Sequence, residues 1–235
     1  MKRISDFDRS HPETVDELFH ILDTSAVGRV LYWHFFFDLI RDVPGTIVEC
    51  GVGRGRSLLI ISALNVLSER REGGLRDIWG FDSFAGFDEP SRQDNSNRNP
   101  KKGEWARSPS GAYEYAPDFV RKVLQEARAD SPGLKLVKGY FNDTLPSYLG
   151  GPIALLNIDC DLYKPYKYAL EYLFDKVVPG GVIVFDDFKI EQNANEHFPG
   201  ARKAVYEFFG NKVSDLKESL KGNPYYVKPS TSSCQ

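Results

Sequence analysis

The sequence predicts an α/β fold: a doubly wound, mostly parallel sheet with helices on both faces and an N-terminal helical extension. Five apolar runs alternate with segments whose apolar residues have helical spacing. These runs are apolar throughout, which is typical of strands buried on both faces of a parallel sheet. The predicted strands are Thr46–Gly51, Asp77–Phe84, Leu134–Gly139, Pro152–Asp159 and Gly181–Asp187.

Helices are expected around these strands at Ser57–Arg71, Ala116–Ala129, Lys164–Val178 and Gly200–Gly210. Residues 1–43 are expected to form an N-terminal helical segment that stops at Pro44-Gly45. Its aromatic cluster, Tyr32, Trp33, Phe35, Phe36 and Phe37, is expected in the core or in a homo-oligomer contact. A chain of 235 residues is expected to form a single domain, 1–235, with a disordered tail at 229–235.

The composition argues against several classes of protein. The net charge of −3 and the pI of about 5.9 provide no field that would recruit nucleic acid or an anionic membrane. The most hydrophobic window, Val30–Ile40, is too short to span a membrane, and the first residues are not expected to act as a signal peptide because no apolar run follows their basic residues. Cys50, Cys160 and Cys234 give neither a disulfide framework nor a zinc pattern. We therefore expect a cytoplasmic protein without nucleic-acid or membrane partners.

One long segment, 83–111, fits no regular element because it is polar and broken by Pro90, Pro100 and Pro109. Loops of this length are uncommon in compact domains and are usually lids or disordered insertions. It directly follows a predicted strand and contains an isolated tryptophan, Trp105. We predict a mobile lid that becomes ordered when ligand binds.

Two predicted strands end in pairs of aspartates. The run "IALLNIDCDLYK" places Asp159 and Asp161 one residue apart, and "GGVIVFDDFK" ends a later strand with Asp186 and Asp187. Neighbouring carboxylates raise each other's cost of ionising unless a cation lies between them. Turn or helix capping is the alternative for a single pair. Because the carboxyl ends of parallel strands form one rim where ligands bind, two pairs on that rim favour a cation site.

The segment "ECGVGRGRS" follows the first predicted strand and has the pattern E-x-G-x-G-x-G, with Glu49 ahead of Gly51, Gly53 and Gly55. A ligand can lie against backbone along these glycines, and Glu49 can accept an ammonium group, although a plain tight turn is the alternative. Asp82 ends the second strand, where an acid can accept both ribose hydroxyls of an adenosine. Carboxylates would repel phosphates, so these residues favour a cationic nucleoside, and S-adenosylmethionine fits.

Five segments resemble, in this order, the macrocin-type (TylF-like) family of metal-dependent O-methyltransferases: "ECGVGRGRS", "WGFDSFAGF", "KGYFNDTLP", "LLNIDCDLYKPYKYALEYLFDKVVPGGVIVFDDF" and "PGARKAVYEFF". The resemblance covers residues 46–209, and the D-x-D-L-Y and V-F-D-D-F pieces are its most specific parts. It implies a class I methyltransferase fold, S-adenosylmethionine as methyl donor and Mg²⁺ as cofactor. The implied acceptor is a hydroxyl on a sugar or a similar small natural product.

The resemblance also implies roles for single residues. Asp159, Asp186 and Asp187 match the metal ligands of the family, and Asp161 matches its proposed base. The implied cofactor-binding residues are Glu49, Gly51 and Gly53 at the methionine end, Asp82 and Ser83 at the ribose, and Tyr140, Phe141 and Asn142 around the adenine. Arg54 and Arg56 make the glycine turn more basic than expected, and no residue of 83–111 can be matched.

Three other readings remain open at this point. A metal-dependent nucleotide-sugar glycosyltransferase also uses a D-x-D pair, and Arg54 and Arg56 agree with it, whereas the spacing of Glu49 and Asp82 does not. A cofactor-binding protein that has lost its chemistry would lack one of the four aspartates. An RNA methyltransferase would carry a basic stripe, which this acidic chain does not.

Overall fold

A computed structural model describes residues 24–72, 74–108, 110–111, 113–191 and 196–229. The predictions for residues 1–23 and for the tail 230–235 lie outside the described residues. The α-helices of the described residues are α1 (Thr24–Leu39), α2 (Arg56–Glu72), α3 (Pro117–Glu126), α4 (Phe141–Thr144), α5 (Tyr163–Leu173) and α6 (Pro199–Phe209). The strands are β1 (Thr46–Cys50), β2 (Ile78–Asp82), β3 (Leu134–Lys138), β4 (Ile153–Ile158), β5 (Val177–Phe185), β6 (Lys217–Glu218) and β7 (Pro224–Val227).

In the described part of the chain these strands form one seven-stranded sheet in the order β3-β2-β1-β4-β5-β7-β6. The first five are parallel to one another, and β7 pairs antiparallel with both β5 and β6. Successive strand residues point to opposite faces, so Val48 joins a core with α5 and α6 while Ile47 joins a core with α1, α2 and α3. The predicted doubly wound, mostly parallel sheet is therefore confirmed.

The structure corrects the element boundaries in two places. The predicted helix Lys164–Val178 ends at Leu173, and Val177 already begins β5, because Val177 is buried against β4. Strands β6 and β7 were absent from the prediction, since β6 has two residues and β7 begins at Pro224. Proline is tolerated there because the first residue of a strand need not donate to the ladder.

Helix α1 covers one face of the sheet with its aromatic residues. Tyr32, Trp33, Phe36 and Phe37 are buried, and Phe35 packs edge-on against Tyr225 of β7 with ring centroids 5.7 Å apart. Aromatic pairs of this geometry contribute about 0.5–1.5 kcal/mol beyond their buried area. The expectation that this cluster belongs to the core is confirmed. No helix within the described ranges is both long and apolar enough to cross a membrane.

The 83–111 segment contains more structure than the sequence suggested. It includes a short 3-10 helix, Arg92–Asp94, and Arg107 forms an isolated antiparallel bridge with Glu114. The backbone N–H of Phe87 donates to the carbonyl of Glu104 at 3.0 Å, and the N–H of Gly103 donates to the carbonyl of Phe87 at 2.9 Å. These bonds close residues 88–102 into a loop whose ends meet, as in an Ω-loop. Whether the segment moves as a lid stays a prediction.

A buried arginine holds the chain that follows β5. Arg202 is buried on α6, and its guanidinium pairs with the carboxylate of Glu196 at 2.7 Å. It also donates to the carbonyl oxygens of Lys189 at 2.7 Å and of Ile190 at 3.4 Å. Burying a cation is costly unless it is paired and hydrogen-bonded, and these contacts supply both. Arg202 thus holds the chain that follows the second aspartate pair.

Candidate active site

A cavity of about 610 Å³ opens at the carboxyl ends of the parallel strands. This is the edge of an open α/β sheet at which ligands bind. Ten predicted site residues line it: Gly51, Gly53, Asp82, Ser83, Tyr140, Phe141, Asn142, Asp159, Asp161 and Asp186. Glu49 and Asp187 are not among its described lining residues. The strand ends therefore bring most of the predicted residues together, and the two exceptions have separate explanations.

The glycine turn lies directly on the backbone that carries Asp159. Gly51 has φ +99°, and a side chain there would overlap the carbonyl oxygen of Asp159. The N–H of Asp159 in turn donates to the carbonyl of Cys50 at 2.9 Å. Glycine at position 51 thus allows the loops after β1 and β4 to touch, which joins the two halves of the cavity.

Asp82 is held in place by backbone donors. The N–H of Gly53 donates to Asp82 Oδ2 at 2.7 Å, and the N–H of Phe84 donates to Oδ1 at 2.6 Å. Burial raises the pKa of Asp82, and these hydrogen bonds act in the opposite direction. Each carboxylate oxygen has a second lone pair, so the fixed carboxylate can still accept hydroxyl groups from the cavity.

Glu49 lies beneath the cavity and is fully buried. Asn157 on the neighbouring strand donates through Nδ2 to Glu49 Oε1 at 3.0 Å, whereas Oε2 has no hydrogen-bond partner among the described residues. Burial, only partly offset by the bond from Asn157, raises the pKa of Glu49 to about 8. The carboxyl group is therefore mostly protonated at neutral pH in the ligand-free protein.

The residues predicted to surround an adenine lie at the opposite end of the cavity from the acids. Tyr140 precedes α4, and Phe141 and Asn142 form its first turn, directly after the edge strand β3. Ser83 follows β2, and its hydroxyl donates to the carbonyl of Gly86 at 2.7 Å. These four residues and Asp82 follow β2 and β3, whereas the aspartate pairs follow β4 and β5.

Asp186 and Asp187 follow the last residue of β5, and their carboxylates make different contacts. Asp186 faces α1, where the hydroxyl of Tyr32 donates to its Oδ1 at 3.3 Å. Asp187 faces the other side, and its Oδ2 accepts the backbone N–H groups of Cys160 at 3.0 Å and of Asp161 at 2.8 Å. Asp187 thus fixes the loop that carries Asp161.

Asp161 sits on this loop in a left-handed backbone conformation, with φ +63°. Aspartate and asparagine adopt that region more readily than other non-glycine residues. Burial raises the pKa of Asp161 well above its usual range, and the charge of Asp187 and a hydrogen bond with it act in the same direction. Arg98, in the 83–111 segment, lowers the pKa through its positive charge. The positive charge of the 83–111 segment therefore reaches Asp161, which lines the cavity.

The other acids show the same mutual repulsion. Burial raises the pKa of Asp159 well above its usual range, and the charges of Asp187, Asp186, Asp161 and Glu49 add to this effect. Burial also raises the pKa of Asp186 and of Asp187, while the ammonium of Lys221 lowers that of Asp186. Four carboxyl groups in one place need compensation, from protons or from a bound cation.

The carboxyl groups offer the type of ligand atom that a metal ion needs, but they are not arranged around one point. Carboxylate oxygens are the ligands that Mg²⁺ prefers, and Asp159 and Asp186 point into the cavity from adjacent strand ends. Within the described ranges, however, no group of three or more histidine, cysteine, aspartate or glutamate side chains is arranged to hold a metal ion. Oδ2 of Asp187, the third predicted ligand, is engaged by the backbone N–H groups of Cys160 and Asp161.

Sequence reasoning missed part of the cavity wall. Arg29 of α1 and Lys221, in the turn between β6 and β7, line the cavity, and the Lys221 ammonium lies 3.9 Å from the ring centroid of Tyr32. Phe87 and Arg107 of the 83–111 segment line it as well. Lys221 carried no sequence signal because the hairpin that presents it was not predicted. Phe87 lies within the resemblance segment "WGFDSFAGF" and could have been proposed from it.

The sheet order, the glycine turn against Asp82 and the acids after β4 and β5 define a class I methyltransferase. The macrocin O-methyltransferase (TylF) family model matches residues 38–208, and the chain belongs to this family. It is accordingly an O-methyltransferase, which excludes the glycosyltransferase and non-catalytic readings.

Two curated relatives are named as O-methyltransferases, and the name of one includes a rhamnosyl group. A Streptomyces olivaceus 8-demethyl-8-(2,3-dimethoxy-alpha-L-rhamnosyl)-tetracenomycin-C 4'-O-methyltransferase is 28 % identical over 199 residues, 84 % of this chain and 70 % of the relative. The mycinamicin III 3''-O-methyltransferase of Micromonospora griseorubida is 27 % identical over 180 residues, 74 % of this chain and 65 % of the relative.

Solved structures agree with the fold. The calicheamicin methyltransferase CalS11 superposes with a TM-score of 0.75 at 28 % identity, over 92 % of this chain and 84 % of that chain. The O-methyltransferase NovP superposes with a TM-score of 0.67 at 23 % identity, over 84 % of this chain and 79 % of that chain.

Proposed function

We propose that this enzyme transfers a methyl group from S-adenosylmethionine to a hydroxyl of a sugar unit in a natural product or glycan, with the help of Mg²⁺. One observation carries the proposal: Asp161 opens into the same cavity as the glycine turn and Asp82. A proton acceptor and a nucleoside site thus share one enclosed space. The rhamnosyl compound in the name of the Streptomyces olivaceus relative supports a sugar as acceptor.

The cofactor would lie along the loops after β1, β2 and β3. Asp82 would accept the ribose hydroxyls, and Tyr140, Phe141 and Asn142 would surround the adenine. Gly51 and Gly53 would border the methionine end, with Glu49 beneath them. A bound sulfonium or ammonium cation would favour the ionised form of Glu49, whose carboxyl group is otherwise mostly neutral at pH 7. When bound, the cofactor supplies a methyl group on a positively charged sulfur.

The metal would be held by Asp159, Asp186 and Asp187, and its chemistry is to stabilise an alkoxide on the acceptor. The support is the cluster of carboxyl groups itself, whose pKa values are all raised. A divalent cation would offset that repulsion. Among the protein residues, Lys221 near Asp186 supplies part of this compensation already.

Asp161 would act as the general base. Its carboxylate takes the proton of the acceptor hydroxyl, and the oxygen forms a bond to the methyl carbon as the carbon–sulfur bond breaks. The cofactor, when bound, would supply that methyl group and would be left as a neutral thioether, which cancels its positive charge. Asp187 keeps the base in position through the backbone N–H groups of Cys160 and Asp161. Alignment of the two reacting groups supplies much of the rate.

The first test is calorimetric titration with S-adenosylhomocysteine, followed by an acceptor screen. The screen uses radiolabelled S-adenosylmethionine with TDP-L-rhamnose, methyl α-L-rhamnopyranoside and mycinamicin III, each with Mg²⁺ and with chelator. We expect tight binding of the thioether and labelling of a sugar compound that chelator abolishes. Absence of binding would contradict the whole proposal, while binding without labelling of any sugar would contradict the sugar acceptor. Full activity with chelator would contradict only the role of the metal.

A further inference from the structure

Trp105 is exposed in the cavity, unlike the other two tryptophans of the chain. It is 52 % exposed, whereas Trp33 and Trp79 are 2 % and 9 % exposed. Its indole lines the cavity on the side of the 83–111 segment. Apolar surface left in water forgoes about 25 cal/mol per Å² of burial, so a large aromatic wall in a cavity indicates a ligand that covers it.

The indole is also held rigidly from behind. The rings of Phe87 and Phe198 lie 5.0 and 5.7 Å from it, centroid to centroid. The guanidinium carbon of Arg98 lies 5.0 Å from the indole centroid, and Arg98 is itself fixed by a 2.9 Å contact with Glu104. Such cation–π and edge-to-face contacts lock the ring orientation. The exposed face of the Trp105 indole therefore has a fixed orientation, and we call it the plate.

The backbone at Trp105 is strained in favour of this arrangement. Its φ is +64°, a left-handed conformation that costs about 1–2 kcal/mol for an ordinary L-residue and is rare for a bulky one. Glycine would fit the turn without strain, and Gly103 in the same turn does adopt φ +77°. A bulky residue kept in a strained conformation at a cavity points to a functional role.

The plate lies on the acceptor side of the cavity. Asp94, in the same 83–111 segment, accepts the N–H of Tyr163, two residues after Asp161, at 2.7 Å. Phe198 precedes α6, which follows β5. The residues proposed for the adenine follow β3, which is three strand spacings from β4, or about 14 Å. The indole thus belongs to a segment that is bonded to the chain beside the proposed base, whereas the proposed adenine residues follow the edge strand β3.

We propose that Trp105 is the stacking wall for the sugar ring of the acceptor, which is a pyranose with a continuous face of C–H bonds, such as a 6-deoxyhexose. This inference rests on the proposed function. The weakly positive C–H face complements the negative face of the indole, and both surfaces lose contact with water. Asp88 and Glu104 line the same wall, and their carboxylates can accept hydroxyl groups at the edge of the ring.

Acrylamide quenching of intrinsic fluorescence tests the wall directly, because Trp105 is the exposed emitter. The probe is methyl α-L-rhamnopyranoside, added to protein already saturated with S-adenosylhomocysteine and Mg²⁺. We expect a blue shift and protection from acrylamide that are absent in Trp105→Phe. Protection by S-adenosylhomocysteine alone would place the adenine on Trp105 and overturn the inference. If the glycoside gives no protection when it is added up to its limit of solubility, the inference is overturned as well.

Kinetics separate a stacking role from a structural one. With the sugar compound labelled in the acceptor screen, Trp105→Ala should raise the acceptor KM about tenfold, the upper range for one aromatic contact. The KM for S-adenosylmethionine should change less than about twofold, and Trp105→Phe should retain part of the effect. Tyr172→Ala, which removes an exposed aromatic side chain on α5, is the matched control. An unchanged acceptor KM in a Trp105→Ala enzyme that still binds S-adenosylhomocysteine would refute this inference and leave the proposed function intact.

Discussion

Asp94 and Tyr163 join the 83–111 segment to the helix that follows the proposed base. The N–H of Tyr163, at the start of α5, donates to Asp94 Oδ1 at 2.7 Å. The other oxygen of Asp94 accepts the N–H of Ser91 at 2.7 Å and its hydroxyl at 2.6 Å. Asp94 is 2 % exposed, so these bonds replace water around a buried carboxylate. The segment is thus pinned two residues from Asp161.

Asp94→Ala should lower the free energy of unfolding by about 2–3 kcal/mol, because it removes hydrogen bonds to a buried charged group. It should also raise the acceptor KM, since Trp105 loses its anchored support. Urea denaturation and steady-state kinetics measure the two effects. Glu89→Ala, which removes an exposed carboxylate in the same segment, is the control. A loss no larger than that of the control would show that the anchor is unimportant.

Stability should fall as pH rises because of Glu49. Its folded pKa is raised to about 8, above the unfolded value near 4.5, so the protonated form is favoured by folding. The stabilisation is complete below the unfolded pKa and is lost as pH rises through about 8. Glu49→Gln, which cannot ionise, should be increasingly stable relative to wild type from pH 5 to pH 8. If the difference in unfolding free energy between the two proteins is the same at every pH in that range, the raised pKa of Glu49 is contradicted.

Replacement by alanine should destabilise the protein much more at Gly51 than at Gly53, although both lie in the same turn. Gly51→Ala adds a methyl group that overlaps the carbonyl of Asp159, so the loops after β1 and β4 must separate. We expect a loss of more than about 3 kcal/mol of unfolding free energy, as for severe overpacking. Gly53→Ala meets no atom within 4 Å and suffers only its positive φ of +51°, a cost of about 1 kcal/mol. Thermal and chemical denaturation compare them; equal losses would refute the close contact.

Asp161→Asn should abolish turnover while leaving the fold intact. Asparagine tolerates the left-handed backbone of position 161 and keeps the N–H that Asp187 accepts. It cannot accept a proton as a carboxylate does, so we expect a loss of at least about a hundredfold in kcat. Calorimetry should show unchanged binding of S-adenosylhomocysteine. Near-normal turnover would mean that another group is the base.

Mg²⁺ should raise the melting temperature of the wild-type protein. Binding to the folded state alone stabilises it by about 2.7 kcal/mol at one hundred times the dissociation constant. The shift should disappear in Asp159→Asn/Asp186→Asn, whose ligand-free form should be more stable than wild type because two mutually repelling acids are gone. Differential scanning fluorimetry with Mg²⁺ and with chelator measures both. An equal shift in the double variant would place the ion elsewhere.

The residues at the carboxyl ends of the parallel strands could be predicted from the sequence. These ends lie along one edge of the sheet, whatever the conformation of the loops. Asp82, Asp159, Asp161 and Asp186 reach the cavity for this reason. Glu49 and Asp187 do not. Glu49 lies within β1 between two paired strands, and Asp187 accepts the backbone N–H groups of Cys160 and Asp161.

The contacts of the 83–111 segment could not be derived from any local pattern in the sequence. Arg98, Trp105 and Asp94 occupy a polar, proline-broken segment, and their contacts with Phe198 and Tyr163 connect residues far apart in the chain. No periodicity encodes such contacts. Lys221 was missed because a two-residue strand and a strand that begins with proline carry little β signal.

The closed loop at residues 88–102 is suited to replacement by a loop of different sequence. Its two ends are already hydrogen-bonded to each other at Phe87, Gly103 and Glu104, so a replacement of different length would need to match only that junction. An acidic side chain that reaches the N–H of Tyr163 would keep the new loop docked. The strands and the glycine turn would stay untouched. Loop grafting at this junction is therefore a route to enzymes that methylate other acceptors.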